Sequence, residues 1–145
     1  MTRVNTNTQL APAASQPLLA QVHKAFDATP NMFKAVANSP VALQSMWAAF
    51  GALGQGTIGA KLGEQIAVAI ANRNRCEYCL AAHTLLGQNA GASAGEMAAA
   101  QVGRSDDART AAALDFVLKV VEKRAQVDDA DVARLRQAGF DDGQI

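Results

Sequence analysis

Residues 64–83 read EQIAVAIANRNRCEYCLAAH and hold the side chains best suited to chemistry. The chain has two cysteines, Cys76 and Cys79, spaced C-x-x-C, and His83 follows four residues after the second. On a helix that begins near Cys76, these three stand at i, i+3 and i+7, which is one stripe of its surface. Glu64 lies one predicted helix upstream. Two thiols, an imidazole and a carboxyl are the parts of a redox site, and also of a metal site.

A cysteine at a helix start meets free N–H groups and the positive end of the helix dipole, which favour a thiolate. Arg73 and Arg75 add to that effect where they point inward. His83, one turn after Cys79, can take the Cys79 proton directly or through a water. Glu64 can orient His83 or accept the proton onward. A peroxide would oxidise the attacking cysteine to sulfenic acid, and the neighbouring thiol would resolve it as a disulfide. An external dithiol would then reduce that disulfide by exchange.

Two other readings compete. A zinc site would use Cys76, Cys79 and His83, but its fourth ligand is not evident: His23 is distant in sequence, and Glu64 is the remaining candidate. A structural reading makes the cysteines small packing residues and has His83 satisfied by a carbonyl. The redox reading needs nothing beyond the residues present.

The elements that must position these groups read as helices. Half of the 145 residues are apolar but only 5% are aromatic, and alanine is the main filler. Alanine is the best helix former, while strand-forming β-branched and aromatic residues are scarce. The expectation is an all-α chain of about six to eight helices with the C-x-x-C at the start of a central one. Thirteen basic residues balance thirteen acidic ones, so no basic field points to nucleic acid or an anionic membrane. No run approaches the ~20 apolar residues of a membrane span. The first residues lack the continuous apolar core of a secretory signal. A cysteine pair this close cannot staple distant parts of a fold, and the expected location is cytoplasmic.

In chain order, residues 1–15 read as a loose polar leader, and residues 16–145 as one helical domain. A helix follows Pro17, with Leu18, Leu19, Val22 and Phe26 at helical spacing and His23 on its surface. Thr29-Pro30 and Ser39-Pro40 open two more. The second runs to about Leu53 with Leu43, Met46, Trp47 and Phe50 inward. Gly54, Gly56 and Gly59 mark a turn. The next helix carries IAVAIA, apolar on every side and therefore expected to be buried. A helix from about Glu77 stops at Gly91. Ser93 and Glu96 form a capping box. Ser105-Asp106-Asp107 caps a longer helix to about Arg124, with Ala113, Phe116, Val117, Val120 and Val121 as its buried stripe. Asp128 or Asp129 caps a last one, ending at Gly139. The tail after Phe140 reads like the cap of a further helix, so the C-terminus is expected to be truncated or covered by a partner.

The run Glu64, eleven residues, Cys76-Glu-Tyr-Cys79, three residues, His83 resembles the core motif of the alkylhydroperoxidase D-like group in the carboxymuconolactone decarboxylase superfamily. The similarity extends loosely from Pro30 to the C-terminus. The resemblance implies an all-helical fold, a trimer or hexamer, and peroxide reduction with a lipoyl-type dithiol donor. It implies that Cys79 is the peroxidatic thiol and Cys76 its disulfide partner and the point of attack by the reductant. His83 is then the adjacent base and Glu64 the proton acceptor of the relay. The group's best-studied members have a histidine one residue before the second cysteine, where this chain has Tyr78. A phenol can donate a hydrogen bond but is a poor base near neutral pH. Exposed apolar residues on the helices at 40–53 and 106–124 would supply the contacts of a homo-oligomer. The rivals are a lactone decarboxylase of the same superfamily, which does not need the cysteine pair, and a redox sensor that switches assembly without turnover.

Overall fold

Side-chain caps mark where five of the eight α-helices among the described residues begin. The computed structural model describes residues 3–145, whose contacts group into two units, 3–55 and 56–145. All regular structure among the described residues is helical.

In the first unit, α1 spans Gln16–Phe26 and α2 spans Asn31–Val36, with Pro30 one residue before it. Then α3 spans Pro40–Leu53, opened by Pro40 and capped by the Ser39 hydroxyl, which accepts from the Ala42 N–H. Leu19, Val22, Phe33, Ala37 and Leu43 form the core of this unit. His23 is exposed, the surface position that its place on α1 predicts. The stripe expected on α3 is only partly inward: Leu43 is buried, Met46 and Trp47 are half-buried and Phe50 is exposed. Residues 3–15 carry two short 3-10 turns rather than being without structure. Buried Ser15 donates to the Ala37 carbonyl at 2.8 Å, and Asn38 Nδ2 donates to the Asn5 carbonyl at 2.7 Å, which fastens this segment to the α2–α3 link.

The second unit holds α4 (Ala60–Arg73), α5 (Glu77–Asn89), α6 (Ala94–Gln101), α7 (Ala108–Glu122) and α8 (Asp129–Gln137). The capping box of Ser93 and Glu96 forms in full, and Asp128 with Asp131 makes a second at α8. Asp107 is the residue that caps α7. Gly91 takes the left-handed φ of 88° just beyond α5, and Gly139 a φ of 86° beyond α8. Both are positions that suit a residue without Cβ.

Two clusters make the core of this unit. Val68 and Ala69 of α4 pack with Met97 and Ala100 of α6 and Leu114 of α7. Leu62 of α4 packs with Ala113, Leu135 and Phe140. Because α7 faces both clusters, its inward residues are only in part the expected set: Ala113 is buried as expected. Leu114 is fully buried, whereas Phe116, Val117, Val120 and Val121 are only half-buried. The IAVAIA run also departs from expectation. Val68, Ala69 and Ala71 are buried, but Ile66, Ala67 and Ile70 keep partial exposure. α7 ends two residues before Arg124, because Arg124 and Ala125 both take left-handed φ.

One charge is buried here. Asp131 accepts from Lys119, from Arg134 and from the Asp128 N–H. The Lys119 hydrogen bond, above all, holds its carboxyl below the usual range. After α8 the tail closes as a hydrogen-bonded turn rather than a helix, with the Asp141 side chain accepting from the N–H groups of Gly143 and Gln144. No described helix is long and apolar enough to cross a membrane.

Candidate functional site

Helices α4 and α5 form a hairpin whose link is three residues long, and the way α4 ends places Cys76. Arg75 adopts a left-handed φ of 55°. Its N–H donates to the Asn72 carbonyl at 3.0 Å, and the Cys76 N–H donates to the Ala71 carbonyl at 2.9 Å. That pair of bonds is a Schellman termination, usually built on glycine. Here an arginine takes the left-handed position, at a cost of about 1 kcal/mol. The same residue that closes α4 then opens α5: Cys76 is the N-cap of α5, with φ −94° and ψ 90°.

Cys76 and Cys79 are joined in a disulfide with their Cα atoms 5.3 Å apart. The Cys79 N–H donates to Cys76 Sγ at 3.3 Å, so a cysteine sulfur does the capping that serine does elsewhere in the chain. Both cysteines are half-buried. As a disulfide, the pair offers no thiolate to a metal. Among the described residues, no three His, Cys, Asp or Glu side chains are grouped to hold a metal ion.

Glu64, in the second turn of α4, reaches His83 in the middle of α5. Glu64 Oε2 and His83 Nδ1 lie 2.8 Å apart, at 24% and 33% side-chain exposure. A ring nitrogen facing a carboxylate is the one that carries the proton, which leaves Nε2 as the basic nitrogen. The structure therefore brings together Glu64 with His83, and Cys76 with Cys79. It draws no hydrogen bond from His83 to either sulfur. Tyr78 lies on the first turn of α5, half exposed, with no hydrogen-bond partner among the described residues.

The two arginines before the cysteines part company. Arg73 turns to Glu122 of α7 at 3.0 Å. Arg75 lines a cleft of about 320 Å3 with Cys76, Glu77 and Leu80. It is thus the arginine whose charge lies on the cysteine side.

One residue of this arrangement escaped sequence reasoning. Gly87 is buried, one turn beyond His83 on the same stripe. A Cβ built there would stand 3.3 Å from Glu64 Cβ, and 2.4 and 2.5 Å from Cε and Sδ of Met97. The missing side chain thus lets α4 and α6 close on α5 where Glu64 meets His83. A glycine inside an otherwise good helix, four residues after its histidine, is the signal that could have revealed this. Gly87→Ala should gain up to ~1 kcal/mol of helix propensity. It should lose more, ~1–3 kcal/mol, by overpacking against Met97, which is itself 2% exposed. We expect a net loss of about 1 kcal/mol in urea unfolding. A more stable variant would show that the three helices do not need this close approach.

Residues 41–123 match the model of the Carboxymuconolactone decarboxylase family. No curated protein matches the chain. Among solved structures, an uncharacterized peroxidase-related protein from Silicibacter sp. TM1040 is similar at TM-score 0.82 and 26% identity, covering 99% of this chain and 82% of the other. A second is described as an alkylhydroperoxidase AhpD core, an uncharacterized peroxidase-related protein from Ralstonia eutropha JMP134. It is similar at TM-score 0.82 and 28% identity, over 94% of this chain and 74% of the other.

Proposed function

The chain belongs to the carboxymuconolactone decarboxylase family, and we propose that within it this protein is a thiol-dependent peroxidase. The observation that carries this reading is the Cys76–Cys79 disulfide at the N-terminus of α5, on the helix whose His83 is held by Glu64. The names of the two similar structures, both peroxidase-related, support the same class of chemistry.

In the reduced state the Cys79 thiolate attacks one oxygen of the hydroperoxide. The O–O bond breaks, the alcohol or water leaves with a proton, and the sulfur is left as sulfenic acid. Cys76 then attacks that sulfur and expels water, forming the disulfide. A dithiol of the dihydrolipoyl type attacks Cys76, passes through a mixed disulfide, and departs as a cyclic disulfide. Over one cycle, a hydroperoxide and a dithiol become an alcohol, a water and a disulfide. His83 Nε2 receives and returns the thiol proton, and Glu64 stabilises the imidazolium so formed. Tyr78 stands between the cysteines in sequence and is exposed, so its phenol is free to donate a hydrogen bond to an incoming peroxide or donor.

The test is peroxide consumption by the purified protein with dihydrolipoamide as donor, the zinc content having been measured first. Sustained turnover is the expected result. A single stoichiometric oxidation without recycling would convert the reading into that of a redox sensor or of a protein with another donor. Lactone decarboxylation that persists when both cysteines are replaced would overturn the thiol reading in favour of the other activity of the family.

A further inference from the structure

The cleft beside the disulfide holds a cation that nothing in the chain engages. Ala71, Asn72, Arg75, Cys76, Glu77 and Leu80 line its volume of about 320 Å3. That is the lower end of the range for small-molecule sites.

The polar groups around it are not equally available. Asn72 is turned to α6, where its Nδ2 donates to the Gln101 carbonyl at 2.9 Å. Arg73, two residues before Arg75, is held by Glu122 at 3.0 Å. The Arg75 side chain is exposed and makes no ion pair among the described residues, and Glu77 makes none either. The two charges thus line one cleft without pairing with each other.

A guanidinium presents a planar fork of N–H donors that matches a carboxylate in two parallel bonds. Arg75 adjoins Cys76 in the chain, so their Cα atoms are ~3.8 Å apart. Ala71 is buried, and Leu80 packs against the cluster of Val68 and Leu114, so these two supply an apolar wall. One cleft therefore offers a sulfur open to attack, an apolar wall and a cation. Those three features complement a dithiol on a short aliphatic chain that ends in a carboxylate. Glu77 opposes any anion, and more strongly the higher its charge, which favours a monocarboxylate over a dicarboxylate or a phosphate.

We propose that Arg75 is a specificity-determining residue for the dithiol donor, and that it selects a donor carrying its own carboxylate, of the dihydrolipoate type, over a neutral one. This rests on the thiol reading of the Cys76–Cys79 pair. One donor thiolate attacks Cys76 Sγ, the bond between the two cysteines breaks, and Cys79 leaves with the electron pair. The donor's second thiolate then attacks the donor sulfur of the mixed disulfide and expels Cys76. Two electrons and the two thiol protons pass from the donor to the cysteines, and the donor departs as a cyclic disulfide. Arg75 takes no part in the exchange itself. It holds the carboxylate while the donor sulfur reaches Cys76.

The test compares reduction of the disulfide in the full chain by dihydrolipoate and by dihydrolipoamide, without peroxide, by alkylating the freed thiols and weighing the protein. The two donors share the dithiol and differ in the carboxylate. The wild type should react about two- to fivefold faster with dihydrolipoate, the range of an exposed ion pair. Thirteen basic residues balance thirteen acidic ones, so a general attraction for anions does not supply that ratio. Arg75→Asn tolerates the left-handed backbone and lacks the charge, and should bring the ratio to about one or below. Arg75→Lys should keep most of the preference, and Glu77→Gln should raise it. Salt at ~1 M, where screening acts within about 3 Å, should remove it. A change in folding or in the cysteines alters both rates alike, so the ratio isolates the carboxylate. Equal rates with the two donors in the wild type would overturn the proposal. So would a preference that survives Arg75→Asn, or a disulfide that neither dithiol reduces. No peroxide is present, so each of these outcomes is separate from a failure to consume peroxide, which would sink the peroxidase reading instead.

Discussion

Cys79→Ser is expected to reduce peroxide turnover to the uncatalysed background, a loss on the order of 10³-fold or more. Cys76→Ser should keep one oxidation per chain and lose recycling. The asymmetry follows from the chemistry of the pair. In the proposed cycle only one sulfur breaks the O–O bond, while the other resolves it, so the two variants should fail at different steps. The geometry adds a reason for assigning the resolving role to Cys76. It is the N-cap of α5 and lines, with Arg75, a cleft that an external dithiol can enter, whereas Cys79 is not among the cleft's lining residues. Cys79 lies inside the first turn, on the stripe that leads to His83. Mass spectrometry after one equivalent of peroxide separates the cases. The Cys76→Ser protein should carry a trapped sulfenic acid on Cys79, and Cys79→Ser should remain unmodified. Steady turnover in Cys79→Ser would sink the assignment. Steady turnover in Cys76→Ser would mean that the donor attacks the sulfenic acid directly.

Much of this arrangement was legible in the sequence because short-range rules set it. Ser39, Ser93 and Asp128 cap helices by bonds that reach no further than three residues, and Gly91 and Gly139 stop helices by their own backbone freedom. The i, i+3, i+7 spacing of Cys76, Cys79 and His83 is likewise a property of one helix. What was not legible depends on which helix lies opposite. The stripe expected on α7 took Ala113, Phe116, Val117, Val120 and Val121 as one buried face; Ala113 is buried, but α7 serves two clusters, so Leu114 rather than the other four takes the deepest place. Residues 3–15 lack apolar periodicity and read as loose, yet hydrogen bonds from Ser15 and Asn38 tie them in place. Periodicity reports only apolar burial, so polar fastening leaves no trace in it. The left-handed Arg75 leaves none either, since arginine is a poor guide to that conformation. Gly87 was visible as a residue but its meaning was not, because a close approach needs its neighbours, Met97 and Glu64, to be known.

The second large effect concerns the pair that links α4 to α5. His83→Ala should lower peroxide turnover by roughly 10²–10⁴-fold, the range for a lost general base. It should also displace the rate profile for alkylation of the reduced thiols toward higher pH. The sign follows from the proton. Leaving Cys79, it lands on the imidazole and makes a cation beside the thiolate, so without the ring the thiolate needs a more basic solution to form. Glu64→Gln should shift the profile in the same direction but less. The 2.8 Å contact from Glu64 Oε2 to Nδ1 stabilises that cation, and an amide keeps the hydrogen bond without the charge. That His83 makes no hydrogen bond to sulfur here is consistent with this role, since a disulfide sulfur has no proton to give. In the proposed mechanism Glu64 acts through His83 as a positioning residue, so the two variants should not add. In the His83→Ala background, Glu64→Gln should change neither turnover nor the alkylation profile further, as coupled residues behave. A merely structural role would look different: the helical circular dichroism would fall in step with activity, and the pH profile of the remaining active fraction would stay where it was. An alkylation profile that is the same in wild type and His83→Ala would remove His83 as the base, and with it the reason for Glu64 to face it.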